Sequence, residues 1–314
     1  MINSKTDVNY VTEDVSTVKQ PLVSVIVATY RRDVFLERAL ASIAEQTYDD
    51  TEIIVVDDNG DDGWNKKIQA IVDKTRESCR FPITLKTMPE NSGAPEARNC
   101  GVQSAKGEYI TFLDDDDVYL KEKVERQVRD MIDTGADYGL TDLDLYNSED
   151  KLVDRRVRSY LKETDRDSLL RYHILYHMTG TDTLMFRAEY LKEIGGFPHI
   201  AVGDEFYLMM EAILHEGKIT YMPECCVKAY VHTGDDSGLS SGSGKIEGEN
   251  NLYLAKEKYM KYLSKQDVKY VKLRHWAVLA YANLRMKNYP AFIECAGRAF
   301  LVSPTGALKI RKEH

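Results

Sequence analysis

Cysteine is scarce in this chain, and glycine is missing from the turn where a dinucleotide site would need it. The five cysteines, at 79, 100, 225, 226 and 295, are odd in number, scattered and never spaced C-x-x-C. That pattern excludes a disulfide framework and a structural zinc site, and it points to a reducing cytoplasm. No run approaches the roughly 18 apolar residues of a membrane span. The first segment, MINSKTDVNYVTEDVSTVKQ, has no basic region leading into an apolar core, so a soluble or peripheral protein is expected. Positive charge is not in surplus either. The 42 Lys and Arg face 51 Asp and Glu, and the net charge of −9 argues against a general nucleic-acid coat. The first apolar segment runs into ATYRRD rather than G-x-G-x-x-G, leaving no turn to receive a dinucleotide pyrophosphate. Asp57 to Ile68 fails as a calcium loop, because position six is Asp62 and position twelve is Ile68.

What remains is 314 residues with 43% hydrophobic and 10% aromatic content, enough for an ordinary packed core. The chain divides into a loose polar segment (1–20), a main domain (21–240) and a helical region (241–314). Within the main domain strands alternate with helices. Leu22 to Thr29 is a β-branched run of the kind buried on both faces of a parallel sheet. Asp33 is placed to cap the following helix, whose Leu36, Leu40 and Ile43 fall at helical spacing. Strands follow at Glu52–Val56, Ile83–Thr87 and Glu108–Leu113, separated by helices over Asp61–Cys79 and Ala94–Ala105. This order predicts an α/β fold, an open and mostly parallel sheet with its ligand beyond the carboxyl ends of the strands.

Three polar motifs sit at those ends: Ala28-Thr29-Tyr30, Asp57-Asp58-Asn59, and the run Asp114 to Asp117. The last is the most informative. Ile110, Thr111, Phe112 and Leu113 ask for burial, yet four carboxylates follow at once, each repelling its neighbour by about 1 kcal/mol even in water. Such a junction suits a hard divalent cation. The plain alternatives are a solvated turn with helix-capping aspartates for this run, and turn chemistry or capping for Asp57 and Asp58.

Taken in order, VSVIVATYRR, VVDDNGDDG, NSGAPEARNCGV, GEYITFLDDDDVY and GDEFYLMMEAI resemble the family-2 glycosyltransferases, the nucleotide-diphosphosugar transferases of GT-A fold. The resemblance covers roughly residues 21 to 235. It implies that Ala28, Thr29 and Tyr30 lie beside a uracil and that Asp58 accepts its imide N–H, a role suited to an acceptor-only carboxylate. Arg98 matches an arginine near the nucleotide, with a surface salt bridge as its structural alternative. The family's D-x-D motif maps onto Asp114-Asp115-Asp116, with Asp116 as ligand of Mn²⁺ or Mg²⁺ and Asp115 near the ribose. Asp117 is left to cap the next helix. The acid that deprotonates the acceptor maps by register onto Glu205, and because the usual Glu-Asp order is reversed here, Asp204 stays open as the base. Gly195 to Pro198 resembles an acceptor-side loop. His232 is either a further metal ligand or the cap of a strand, and the Gly/Ser stretch through Gly244 is a candidate lid.

From about Ile246 glycine becomes rare and two or three amphipathic helices are expected. Ala277, Ala280, Leu284, Tyr289, Ala296 and Phe300 resemble one tetratricopeptide hairpin, and one unit is not a solenoid. This region either packs on the main domain or offers a docking or homo-oligomer surface. Lys309, Arg311 and Lys312 beside Leu308 and Ile310 suit contact with an anionic membrane. The resemblance thus implies a cytoplasmic, inverting transferase of a UDP-sugar, peripheral to the membrane. Its acceptor would be a glycan or lipid-linked saccharide of a capsule, O-antigen or exopolysaccharide. A sugar-nucleotide transferase lacks its glycine-rich start here. A nucleotide-sugar-binding scaffold without catalysis is the non-enzymatic rival.

Overall fold

The computed structural model describes residues 20–178, 180–200, 203–231 and 242–310. One nine-stranded sheet organises them. Its first half comprises β1 (Val23–Thr29), β2 (Thr51–Asp57), β3 (Ile83–Thr87) and β4 (Tyr109–Phe112), linked by α1 (Asp33–Ala44), α2 (Asp62–Ser78) and α3 (Ala94–Ser104). These four strands pair in parallel in the order β3-β2-β1-β4. The second half is mixed. It adds β5 (Val118–Tyr119), α4 (Lys123–Thr134), β6 (Tyr138–Tyr146), β7 (Leu152–Arg156), α5 (Arg166–Tyr176), β8 (Leu184–Arg187), α6 (Ala188–Glu193), α7 (Asp204–Leu214) and β9 (Ile219–Tyr230). Beyond β4 the order continues β8-β6-β9-β5, with β8 antiparallel to both neighbours and β9 parallel to β6.

The unbroken apolar runs of β1 and β2 follow from burial on both faces. Val23, Val25 and Val27 pack with Leu36, Leu40, Ile43, Ile68 and Val72 under α1 and α2, whereas Ile26, Ile54 and Val56 face the opposite core with Ala97, Val102 and Phe206. Helix α3 lies so close to β1 that a Cβ on Gly101 would sit 2.5 Å from Ile26 Cγ2, so glycine is required there.

Two expected caps are not formed. Asp33 is the first residue of α1 and accepts only the Val34 N–H, since the capping position falls on Arg32. Asp117 does not cap α4, which starts six residues later at Lys123; its Oδ1 accepts the Tyr230 N–H of β9 at 2.8 Å. Asp61 does cap α2, accepting Trp64 N–H at 2.9 Å.

The C-terminal region holds α8 (Gly242–Glu257), α9 (Lys265–Arg285), α10 (Tyr289–Val302) and α11 (Pro304–Ile310). Gly242 to Gly244 therefore belong to a helix, and the rest of the expected lid, with His232 and the boundary at 240, lies outside the described residues. Ala255 and Val271 join the main core, and Arg171 of α5 clamps Asp267 of α9 through two hydrogen bonds of 2.8 and 2.9 Å. Of the repeat-like positions Ala280 is buried and Ala296 packs into the same small cluster between α9 and α10, while Leu284, Tyr289 and Phe300 are exposed.

Candidate active site

The carboxyl ends of β1, β2 and β4 lie side by side in the sheet, and each delivers its polar motif to the same edge. From β1, the Thr29 hydroxyl donates to Asp115 Oδ2 at 2.7 Å. Arg31 takes a left-handed φ of 54° and donates its N–H to Asn59 Oδ1 at 2.8 Å, tying the first loop to the second. Asp58 is 2% exposed, and its carboxylate accepts Asn91 Nδ2 at 2.9 Å and the N–H groups of Ser92 and Gly93, each at 2.8 Å. Burial pushes its pKa up while those two N–H groups oppose the rise. Asp58 therefore shapes the loop that launches α3.

Helix α3 carries Arg98, the electrostatic hub of the site. One terminal nitrogen donates to Asp204 Oδ2 and the other to Asp114 Oδ1, both at 2.7 Å. One guanidinium thus pins the first turn of α7 to the end of β4. Beside it, burial and the neighbouring Asp204 push Glu205 up to about 7. The loop before α7 is held by Asn99, which accepts Phe197 N–H at 2.9 Å and donates to its carbonyl at 2.7 Å. Gly195 and Gly196 take φ values of 87° and 68° there.

The aspartates of the run separate by environment. Asp115 is buried and pushed up to about 7 by desolvation, against the opposing pull of Arg32 and Thr29. Asp116 pairs with Arg32, and its carbonyl accepts Arg38 Nη2 at 2.5 Å. Asp117 is raised by burial and by Asp182, and Asp182 is pushed up to about 7 by burial and Asp114. Asp182 Oδ1 also accepts the Asp114 N–H at 2.7 Å. Carboxyl oxygens of Asp114, Asp117 and Asp182 lie within 4.8 Å of one another. So many buried carboxylates hold protons near neutrality because too little positive charge compensates them. Hard oxygen donors with surplus negative charge fit a divalent cation. Arg32, whose side chain is 41% exposed, partly fills that role.

Of the expected residues, Thr29, Asp114, Asp115, Asp116, Arg98, Asp204 and Glu205 are joined by these contacts, with Asp58 at the adjacent strand end. Ala28 is half-buried, and Tyr30 is 41% exposed under the Arg31 guanidinium. Arg32, Arg38 and Asp182 were not foreseen. Asp182 had a signal: the polar TGTDT running into the apolar strand LMFR is the reverse of the strand-end junction of β4, as suits the antiparallel β8.

The sequence profile described as glycosyl transferase family 2 matches residues 24–195. The chain belongs to that family. A Bacillus subtilis relative with the provisional name teichuronic acid biosynthesis glycosyltransferase TuaG is 28% identical over 211 residues, covering 67% of this chain and 79% of the relative. Among solved structures, residues 1–349 of S. aureus TarS in complex with UDP-GlcNAc superpose with a TM-score of 0.61 at 21% identity, covering 91% of this chain and 82% of that one. The longer S. aureus TarS chain is spanned over 50% of its length. The mannosyltransferase PcManGT of Pyrobaculum calidifontis, in complex with GDP-Man and Mn²⁺, gives a TM-score of 0.59 at 19% identity, covering 94% of this chain and 80% of that one. These similarities establish the GT-A-type fold of this family 2 chain, whose C-terminal helices extend beyond the profile match.

Proposed function

We propose that this glycosyltransferase moves a hexosyl or N-acetylhexosaminyl group from a UDP-sugar, with inversion, onto a hydroxyl of a glycan or lipid-linked saccharide in surface-polysaccharide assembly. The observation that carries the reading is Arg98, which holds the helix bearing Glu205 against the strand end bearing Asp114 to Asp116. In this reading the acceptor base and the acidic cation site lie on the two elements that Arg98 joins. Asp116 would hold Mn²⁺ or Mg²⁺, with Asp114 nearby and His232 as a further ligand, and such an ion neutralises charge on a diphosphate leaving group. Asp58 retains an unused lone pair for the imide of a uracil, and the Ala28–Tyr30 loop borders the same space. Asp204 is committed to Arg98, which favours Glu205 as the base.

In the reaction the acceptor oxygen attacks the anomeric carbon while the Glu205 carboxylate takes the hydroxyl proton. The bond from that carbon to the phosphate oxygen breaks, and its electron pair leaves with UDP. The TarS complex with UDP-GlcNAc and the provisional name of TuaG support the donor and the setting. For a peripheral membrane position, the support is an exposed apolar stripe on α10, Tyr289, Ile293, Phe300 and Leu301. It lies in a stretch where 258–314 holds twelve Lys and Arg against three Asp and Glu. Among the described residues no helix is long and apolar enough to cross a membrane.

The test is UDP release from UDP-GlcNAc with Mn²⁺ in the parent, Asp116→Asn and Glu205→Gln. Both variants should lose roughly a hundredfold or more. Equal release in all three would favour a binding scaffold, and turnover of GDP-mannose alone would move the donor class.

A further inference from the structure

Behind the first turn of α7 the sign of the charge reverses. Lys256 of α8 is 4% exposed, and its Nζ lies 5.6 Å from the centre of the Phe206 ring. Among the described residues it has no carboxylate at ion-pair distance. His177 presses on the same ring at 5.0 Å, and its Nε2 is buried with no hydrogen-bond partner. The neighbouring His173 shows the contrast, because its Nε2 donates to the Phe206 carbonyl at 2.8 Å and its Nδ1 accepts the Met178 N–H at 3.2 Å.

More cations converge here. Lys256 is pushed down to about 7, by burial first and then by Arg274, with Glu249 opposing. His177 is held well below its ordinary range by burial, Lys256, Arg274, His173 and Arg156. Lys245 is lowered by burial, then Arg285, with Glu249 again the opposing acid. Glu249 is itself in contact with His275 Nδ1 at 3.2 Å. A buried ammonium with no counter-ion among the described residues, next to an unsatisfied imidazole and an arginine, is costly unless an anion completes the set.

The location says which anion. A donor diphosphate would have its own cation site at the end of β4, whereas Lys256 and His177 pack on Phe206, one residue after the candidate base Glu205. We propose that Lys256, His177 and Arg274 bind a phosphoryl group of the acceptor, a phosphodiester or lipid pyrophosphate near the hydroxyl that receives the sugar. An ammonium, an imidazole N–H and a guanidinium fork match phosphoryl oxygens. The assignment to the acceptor rests on the transferase reading above; the anion site itself does not.

Glycerol 3-phosphate serves as the probe, titrated into the full chain by calorimetry with and without saturating UDP and Mn²⁺. The parent should bind the probe in both conditions. Lys256→Met and Arg274→Gln should each weaken it by about tenfold, the loss of one charge-assisted contact, while UDP affinity stays unchanged. Should Lys256→Met fail to fold, the half-buried Arg274 position carries the test. No binding by the parent, or equal binding by the variants, overturns the site. Probe binding that vanishes with UDP present overturns it as well, by placing the anion in the donor cleft. The UDP arm reports separately on the transferase reading, so the two can fail independently.

Discussion

Replacing Arg98 with leucine should unfasten the cleft, and the structure fixes the scale of the loss. Arg98 and Asp204 are 10% and 11% exposed in their side chains, and removing one partner of such a buried pair costs about 3–5 kcal/mol. The arm to Asp114 is worth less, because that side chain is 39% exposed and solvent screens it, adding about 0.5 kcal/mol. Loss of the guanidinium 5.3 Å from the Phe197 ring centre adds a further small term. The expected destabilisation is therefore about 4 kcal/mol, read by urea unfolding at neutral pH. Arg98→Lys should fall between, since an ammonium cannot fork between two carboxylates. A leucine variant within about 1 kcal/mol of the parent would refute the hub.

Other consequences follow from the same cleft. Asp115, Asp182 and Glu205 hold their protons to about pH 7 in the folded chain, against about 4 in an unfolded one. The folded state then binds more protons between those values. Without metal, stability is fully present in acid and falls as pH rises through about 7, by roughly 1.4 kcal/mol per unit for each proton concerned. Manganese should flatten that slope; denaturant melts in EDTA and in Mn²⁺ that show one common slope would contradict the reading. Gly196 has φ 68°, and a Cβ there would stand 2.7 Å from Asn99 Oδ1. Gly196→Ala should cost about 1–3 kcal/mol and lower kcat with acceptor while leaving the donor KM alone; an alanine variant as stable and active as the parent would show that this loop positions nothing.

The parallel half of the fold was legible because β1 and β2 are apolar on both faces, a pattern that reports burial directly. The second half hides it. Strand β6 reads YGLTDLDLY, yet Asp142 and Asp144 are buried because Tyr221 donates to the first and Arg155 forks onto the second. Those partners lie 79 and 11 residues away, beyond any periodicity. The misread cap at Asp117 has the same cause, for local rules offer it the next helix while Tyr230 takes it from 113 residues on. Family motifs pointed to Arg98, Asp116 and Glu205 by order alone. They did not tell that Arg98 would spend both ends of its fork on carboxylates, because that depends on how α3, β4 and α7 meet.

The most direct measurement is a calorimetric titration of UDP into the chain with and without Mn²⁺, for the parent and for Asp116→Asn. Tight binding that requires manganese and is lost in the variant is the predicted result. UDP binding that ignores both the metal and the substitution would contradict a cation-held diphosphate at the end of β4.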